Sequence, residues 1–383
     1  MANSSREIVQ ERTSLSNVYS EIVLRHAPWS ISKAGVLNLC GKQYLHKYVE
    51  KLTEGKKSDS SRVGVVAHAV LEAGLQTPGI DLRAVLHEQI DKHQLSREET
   101  IACSARMSAM EDFITRIRAF KESNGVTAEF IEYQLAISPQ HTAVPFKVTA
   151  RTPPELWQGE LVWLGEGRLK TAEGSAPFPP LRAHGAYVVV PSGPFEGAHE
   201  VVSVHDDVLT VLVPPVFPGG APAPGATFEG GVAVKPLLRG VIDHAMRTND
   251  DFLIVLDHKS GKKKPIGEHS QQFYAYMALA VVNFPWARGV QSGIHYIGEP
   301  KVDWFPRFDG KPGAWTRDEI FSRVIPWLEQ FIGRTAVKLG LVDAGTPRAE
   351  TGWQCSYCGF SDHCEAGRDE IAKRARRKGA TNI

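Results

Sequence analysis

Two kinds of segment are missing from this 383-residue sequence. No G-x-x-x-x-G-K-[ST] loop occurs, which excludes a nucleotide-driven motor of that class. Long apolar runs are also missing: the first forty residues contain none of signal-peptide length, and the longest elsewhere, residues 275–284, is too short to span a bilayer. We therefore expect a soluble, cytoplasmic protein without a membrane partner.

The chain has almost no net charge. Lys and Arg number 44 against 43 Asp and Glu, so the net charge of +1 says little about partners. Local clusters are more informative. One contains Lys259, Lys262, Lys263 and Lys264, and a second lies in the tail, residues 373–378. Clusters of this kind suit contact with phosphate groups.

Cysteine is scarce, and its spacing carries the information. Five cysteines in a reducing compartment are not expected to form disulfides. Cys355, Cys358 and Cys364 form a compact C-x-x-C-x5-C group, and Cys40 lies more than three hundred residues upstream. Four thiolates suit either tetrahedral zinc or a [4Fe–4S] cluster, and the spacing leaves both open.

The periodicity of apolar residues predicts a mixed α/β chain. Helical patterns cover residues 30–52, 63–75 and 98–121, and residues 129–137 alternate as a strand does. Residues 153–228 are rich in Pro and Gly with short alternating runs, which predicts a small all-β insert. The pattern after the insert predicts, in order, strands at 237–246 and 252–260, a helix at 270–282, a strand at 289–299 and a helix that starts at Thr316 with a capping box.

Two aspartates and a lysine end the predicted strand pair. Asp243 ends one apolar strand, and Asp257 ends the next, two residues before Lys259. Residues at i and i+2 share one face of a strand, so Lys259 lies beside Asp257. Two neighbouring carboxylates repel each other unless a cation lies between them, and Mg²⁺ or Mn²⁺ suits carboxylate oxygens. The pattern predicts metal-assisted chemistry on a phosphate.

This segment resembles the RecB-like nucleases of the PD-(D/E)XK superfamily. The matching pattern is G-x-x-D, then D-x-K-[ST]-G, then Q-x-x-x-Y on a helix. Here it comprises Gly240, Asp243, Asp257, Lys259, Ser260, Gly261, Gln272 and Tyr276. The resemblance implies a restriction-endonuclease-like fold, a mixed central sheet flanked by helices. It also implies that Gln272 and Tyr276, which share one helix face, lie beside the active centre.

The same resemblance implies further metal ligands. His68 resembles the family's helix histidine, and the backbone carbonyl of His258 resembles another ligand. Glu132 resembles the carboxylate on the preceding strand, which either binds metal or accepts a hydrogen bond. Glu72, one turn after His68, is a weaker candidate.

The cysteines resemble the iron staple of AddB and of the CRISPR-associated RecB-like exonucleases. In those proteins one cysteine lies near the N-terminus and three follow the nuclease motif. The segment around Cys40 supports the likeness, although Gly41 stands where the family often has proline. The resemblance implies a [4Fe–4S] cluster on Cys40, Cys355, Cys358 and Cys364, with structural Zn²⁺ as the alternative. Cys103 is expected to be a packed core residue.

The insert resembles a KOW-type, SH3-like small barrel, with Gly193 and Gly197 in a turn between strands. The predicted layout is a nuclease part at 28–150, the insert at 153–228, the nuclease core and cluster at 232–368, and a basic tail at 369–383. Nucleic-acid or partner contact is a possible role for the insert, and a decorated surface hairpin is the alternative.

The resemblance implies a metal-dependent deoxyribonuclease. We expect an exonuclease on single-stranded DNA ends in recombination, repair or DNA capture, with Lys262, Lys263 and Lys264 contacting DNA. The chain brings no motor of its own, so unwinding would need a helicase partner. The alternative is a DNA-binding scaffold that keeps the nuclease fold without catalysis, and RNA is a third candidate substrate.

Overall fold

The computed structural model describes residues 19–55, 59–193, 195–213, 221–299 and 301–380, without the side chains of 59–61 and 378–380. Two compact units make up the chain. The barrel unit comprises Met1–Ser30, Leu135–Gly240 and Glu329–Ala336. The sheet unit comprises Ile31–Gln134, Val241–Leu328 and Val337–Ile383.

The strands in chain order are β1 (Ala128–Ile137), β2 (Trp157–Gly165), β3 (Arg168–Thr171), β4 (Ala186–Val190), β5 (Gly197–His205), β6 (Val208–Val211), β7 (Thr227–Val234), β8 (Leu238–Arg247), β9 (Phe252–Lys259), β10 (Gly289–Tyr296), β11 (Val302–Trp304) and β12 (Trp315–Thr316). The α-helices are α1 (Glu21–Arg25), α2 (Ile31–Leu39), α3 (Gly41–Tyr44), α4 (Asp59–Gln76), α5 (Leu82–His93), α6 (Arg97–Ser104), α7 (Met107–Ser123), α8 (Ser270–Asn283), α9 (Arg317–Glu319), α10 (Ile325–Gly333), α11 (Thr335–Asp343) and α12 (Glu365–Ala380).

A mixed sheet has the strand order β1-β8-β9-β10-β11, and β12 pairs with β10. β8 and β9 form an antiparallel hairpin, whereas β9 and β10 run parallel. A parallel pair needs a crossover, and α8 lies in that connection. The central strand β9 is buried from Leu253 to His258, as a strand covered on both faces must be. The predicted mixed α/β fold is confirmed.

Helices cover the two faces of β9 with different residues. Leu256 belongs to an apolar cluster with α4 and α7, which includes Val70, Leu71 and Phe113. Asp257 points the other way and contacts α8. Most of α8 is buried, including residues 275–281.

No helix in the described part of the chain is long and apolar enough to cross a membrane.

Two predicted helices are interrupted. The helix predicted at 30–52 breaks at Cys40, which is extended (φ −163°, ψ 113°), and it resumes as α3 and a π-helical turn, Leu45–Val49. The break follows from a distant contact, since the N–H of Lys42 donates to the carbonyl of Arg348 at 3.1 Å. The helix predicted at 98–121 is two helices, α6 and α7.

Helix α5 was not predicted from the sequence. It is mostly exposed and buries only Leu86 fully, so its apolar periodicity is weak. Asp81 caps it, accepting hydrogen bonds from the N–H groups of Arg83 and Ala84. The short polar signal of the cap was therefore its clearest mark.

The insert is a closed barrel with the strand order β2-β3-β6-β5-β4-β7. Closure leaves no unpaired strand edge. Its interior contains Leu161, Leu169, Val188, Val201 and Leu209, none of which is exposed. Gly193 lies between β4 and β5, and Gly197 is the first residue of β5; their φ angles of +96° and +153° lie where glycine is favoured. The predicted β-barrel insert is confirmed.

Truncating one of two leucines in the barrel tests this core. Leu161 is 0% exposed and Leu212 is 64% exposed. We expect Leu161→Ala to lower the free energy of unfolding by about 2–5 kcal/mol, because it removes buried methyl groups and leaves a cavity. Leu212→Ala is the matched control and should change it by less than about 0.5 kcal/mol. Urea unfolding measures both, and equal losses would contradict the assignment of the core.

Candidate active site and cysteine cavity

The β-hairpin positions the two aspartates. His244 pairs with Leu256, so Asp243 and Asp257 lie next to each other in the antiparallel pair. The prediction that Asp243 ends its strand is wrong, because β8 continues to Arg247 before the turn. The backbone N–H of His258 donates to Oδ2 of Asp243 at 2.7 Å. Because the residues lie opposite each other, the side chains of Asp243 and Asp257 share one face of the sheet.

Asp257 is 1% exposed, and α8 holds one of its oxygens. Its Oδ1 accepts hydrogen bonds from Nε2 of Gln272 at 2.6 Å and from the hydroxyl of Tyr276 at 3.2 Å. Gln272 and Tyr276 lie one helical turn apart and contact each other at 2.8 Å. The other oxygen, Oδ2, is buried and has no hydrogen-bond partner in the part of the chain that the structure describes.

Lys259 lies next to that oxygen. Its Nζ is 2.7 Å from Oδ2 of Asp257, although the contact lacks the angles of a hydrogen bond. The Lys259 side chain is about one-third exposed, so its ammonium can also reach a ligand from solvent. A carboxylate oxygen that lacks donors and faces a cationic group is suited to bind a positive ion.

The two carboxylates disturb each other. Burial and the charge of Asp257 together raise the pKa of Asp243 to about 8, against the hydrogen bond from His258. Glu132 contributes in the same direction and Lys259 opposes it. The buried pair therefore has more negative charge than the protein groups around it neutralise, which a bound cation would correct.

His68 and the two glutamates approach the same place. Burial lowers the pKa of His68, while the charge of Asp257 raises it and a hydrogen bond to the backbone of His258 raises it slightly. Burial raises the pKa of Glu132, and Glu72 and Asp257 raise it further. Glu132 also has a φ of +49° within β1, a conformation that costs a non-glycine residue free energy and clusters at functional sites.

A layer of histidines, which sequence reasoning missed, lies on the opposite face of the hairpin. His244, His258 and His295 are all buried, and Phe113 stacks on His295 with ring centroids 3.5 Å apart. Burial keeps the pKa of His258 well below 6.5 and lowers that of His295 to about 4. In the sequence, the only signal of these histidines was the Asp-His dipeptide that each strand of the hairpin contains.

The hydrogen bonds assign the tautomers of His258 and His295, whose lowered pKa values keep both rings neutral. Nε2 of His295 is 3.0 Å from the carbonyl of Glu299, which can only accept, so this nitrogen carries the hydrogen. Nδ1 of His295 must then accept from Nδ1 of His258, 3.0 Å away. The layer thus fixes the ring of His258, and with it the strand between Asp257 and Lys259.

Close packing brings α4 to the site. A Cβ at Gly64 would lie 2.7 Å from Oγ of Ser260, so a larger residue would require the Ser260 side chain or the helix to shift. Glycine at position 64 therefore favours the close approach of α4, which carries His68 one turn later. The sequence contains this glycine four residues before His68, but its role follows only from the contact.

The predicted DNA-contacting lysines are partly engaged. Lys263 pairs with Asp303 at 2.8 Å and Glu299 at 3.4 Å, and Lys264 lies 3.8 Å from Glu268. Lys262 is exposed and forms no ion pair with an acidic side chain among the described residues. In the tail, Lys373, Arg374, Arg376 and Arg377 lie on α12. The side chain of Lys378 and residues 381–383 lie outside the described residues.

The four cysteines predicted to act together line one cavity. Cys40, Cys355, Cys358 and Cys364 face it, and all are free thiols. Burial raises the pKa of the Cys358 thiol, and Cys40, Cys364 and Cys355 raise it further by their charge. Cys103 lies apart, buried in the apolar cluster of α4 and α7. His363 follows the same loop, between Cys358 and Cys364.

Among the described residues, neither the aspartates nor the four cysteines are arranged around a metal ion. Within the described ranges, no three or more His, Cys, Asp or Glu side chains are placed so that they could hold a metal ion. The donor chemistry nevertheless fits: carboxylate oxygens with an unpartnered Oδ2 suit a hard divalent ion, and four thiols around one cavity suit iron or zinc.

Comparison with known proteins identifies the family. The family model described as "PD-(D/E)XK nuclease superfamily" matches residues 28–152 and 203–365, more than half of the chain. The chain therefore belongs to the PD-(D/E)XK nuclease superfamily, whose members are generally metal-dependent nucleases. No curated protein matches it. A solved structure described as "Crystal structure of SSO0001" aligns at 10% identity over 87% of this chain and 95% of that chain, with a TM-score of 0.26.

Removing the charge of Asp243 should change how stability depends on pH. The pKa of Asp243 rises from 3.8 to about 8 on folding, so its stabilising contribution is present below 3.8 and is lost as the pH rises through about 8. Without divalent ions, we expect the free energy of unfolding to fall over this range more steeply in the wild type than in Asp243→Asn. Urea unfolding with chelator at a series of pH values measures this, and equal slopes would contradict the assignment.

Proposed function

We propose that this protein is a divalent-metal-dependent deoxyribonuclease. The observation that carries the proposal is the state of Asp257: α8 holds Oδ1, while Oδ2 is buried, has no hydrogen-bond partner and lies beside Lys259. Asp243 lies within the neighbouring strand β8, directly before His244, which pairs with Leu256. This combination suits phosphodiester hydrolysis, in which negative charge develops on phosphate oxygens.

Mg²⁺ or Mn²⁺ would supply Lewis acidity and a water of lowered pKa. Asp243 and Asp257 would hold the ion, with His68 and the backbone carbonyl of His258 as further ligands. Glu132 is a weaker candidate, because burial, Glu72 and Asp257 all favour its protonated form.

The chain's own groups do the positioning. Gln272 and Tyr276 fix the Asp257 carboxylate by binding one of its oxygens, so the other keeps a constant direction. Lys259 orients the attacking water and stabilises the charge on the phosphate. With an ion held by the aspartates, the Lys259 ammonium, which lies 2.7 Å from Oδ2 of Asp257, would be available for this role.

The substrate is proposed to be DNA with free, single-stranded ends, in recombination, repair or DNA capture. The family membership supports a nuclease, and the exposed Lys262 lies three residues after Lys259 on the same loop. Lys263 and Lys264 are weaker DNA contacts, because nearby acidic groups compete for their charge. Unwinding would require a helicase partner.

Loss of one carboxylate tests this function directly. We expect Asp257→Asn and Lys259→Ala each to reduce Mn²⁺-dependent degradation of end-labelled single-stranded DNA by about 100-fold or more, because each removes stabilisation of developing charge. Asp112→Asn, an exposed acid on α7, is the matched control and should retain activity.

The outcomes separate the proposal from its alternatives. If the wild type and Asp257→Asn both leave DNA intact with every divalent ion, the protein is a DNA-binding scaffold rather than an enzyme. Degradation of RNA but not DNA in the same assay would assign an RNA-directed nuclease.

We also propose that Cys40, Cys355, Cys358 and Cys364 bind a [4Fe–4S] cluster. Their shared cavity and free thiols support it, and a bound cluster would join α3 to the segment preceding α12. Structural zinc is the alternative for the same residues.

Metal analysis decides between these groups. Protein purified without oxygen should be brown, with broad visible absorbance and iron in place of zinc, and Cys358→Ser should lose both colour and iron. Cys103→Ser, which alters the buried cysteine outside the cavity, is the control and should keep both. A colourless wild type with stoichiometric zinc would contradict the iron assignment.

The domain layout remains a proposal as well: a nuclease part at 28–150, the insert at 153–228, the nuclease core and cluster at 232–368 and a basic tail at 369–383. The KOW-like likeness of the insert supports contact with nucleic acid or a protein partner. The turn glycines Gly193 and Gly197 and the closed barrel are the observations that support it.

A further inference from the structure

A histidine that is absent from the nuclease and cysteine motifs lines the cysteine cavity. His46 lies in the π-helical turn after α3, six residues beyond Cys40, and its side chain is 6% exposed. It borders the cavity together with the four cysteines and Phe360. Its ring lies 6.0 Å from that of Phe360, between centroids.

The two nitrogens of His46 have different surroundings. Nδ1 is 2.5 Å from a carboxylate oxygen of Glu50, whose side chain is 41% exposed. Nε2, on the other side of the ring, is buried and has no hydrogen-bond partner among the described residues. A buried polar atom without a partner is costly, so it marks a place where a further group is expected.

We propose that Nε2 of His46 donates a hydrogen bond to a sulfur atom of the group that the four cysteines bind. The inference rests on the proposed [4Fe–4S] centre. The Glu50 carboxylate and the sulfur atoms are both acceptors, so each ring nitrogen of His46 would donate one hydrogen bond, Nδ1 to Glu50 and Nε2 to a sulfur. A carboxylate behind a histidine that faces a metal group is a recurrent arrangement in metal sites.

The consequence is electronic. Hydrogen bonds to the sulfurs of an iron–sulfur cluster help to set its reduction potential, because they stabilise the more negative, reduced state. His46 is therefore a positioning and tuning residue rather than a ligand, and the cluster should remain bound without it. The π-helical turn presents it to the cavity, and such turns are frequent at functional sites.

Three variants of the full chain, purified without oxygen, test this assignment by reduction potential and iron content. His46→Phe keeps a ring beside Phe360 and removes both nitrogens. His46→Asn places an amide near the position of Nδ1, toward Glu50, whereas His46→Gln places one near the position of Nε2, toward the cavity. We expect all three to retain iron, with a lower reduction potential in His46→Phe and His46→Asn and a nearly wild-type value in His46→Gln.

The results distinguish this inference from the centre on which it rests. A wild-type protein with a cluster whose potential is the same in His46→Phe and His46→Asn would overturn the hydrogen bond and leave the centre standing. Equal loss of iron in His46→Asn and His46→Gln would also overturn it, because the ring would then matter for packing alone. A wild type without iron would overturn the centre itself and the inference with it.

Discussion

The structure of the sheet unit depends on two carboxylates held together at one end of a buried hairpin. The register that pairs His244 with Leu256 brings Asp243 and Asp257 to the same place. Burial there makes the negative charge costly, as the raised pKa of Asp243 shows. Four contacts offset this cost. A backbone N–H donates to Asp243, two side chains donate to one oxygen of Asp257, and an ammonium lies beside the other oxygen.

The support behind the pair is uncharged. His258 and His295 are neutral and hydrogen-bonded, and Phe113 packs against both. These two neutral rings add no positive charge that would compete with a bound ion, and they fix the strand that carries Asp257 and Lys259. Donors on the α8 face fix the carboxylate itself. Rigid elements on both faces therefore hold the site, as preorganised catalysis requires.

Local sequence predicted the parts of this arrangement that local rules control. Strand periodicity and a short turn placed Asp243 and Asp257 on the two neighbouring strands of a hairpin. Helical spacing placed Gln272 and Tyr276 on one helix face. The break at Cys40 could not be predicted this way, because it depends on Arg348, which is remote in sequence. The histidine layer and the role of Gly64 likewise depend on which helices pack on the sheet, a tertiary choice that no short pattern records.

The central claim is that Asp243 and Asp257 share a divalent cation. Anomalous diffraction at the manganese edge, from crystals grown with Mn²⁺, tests it most directly. We expect a peak at coordination distance, roughly 2.1 Å for a small hard ion, from an oxygen of each aspartate. Gln272 and Tyr276 should still donate to Oδ1 of Asp257. Carboxylates that keep Lys259 on Oδ2 of Asp257, with no manganese between them, would contradict it.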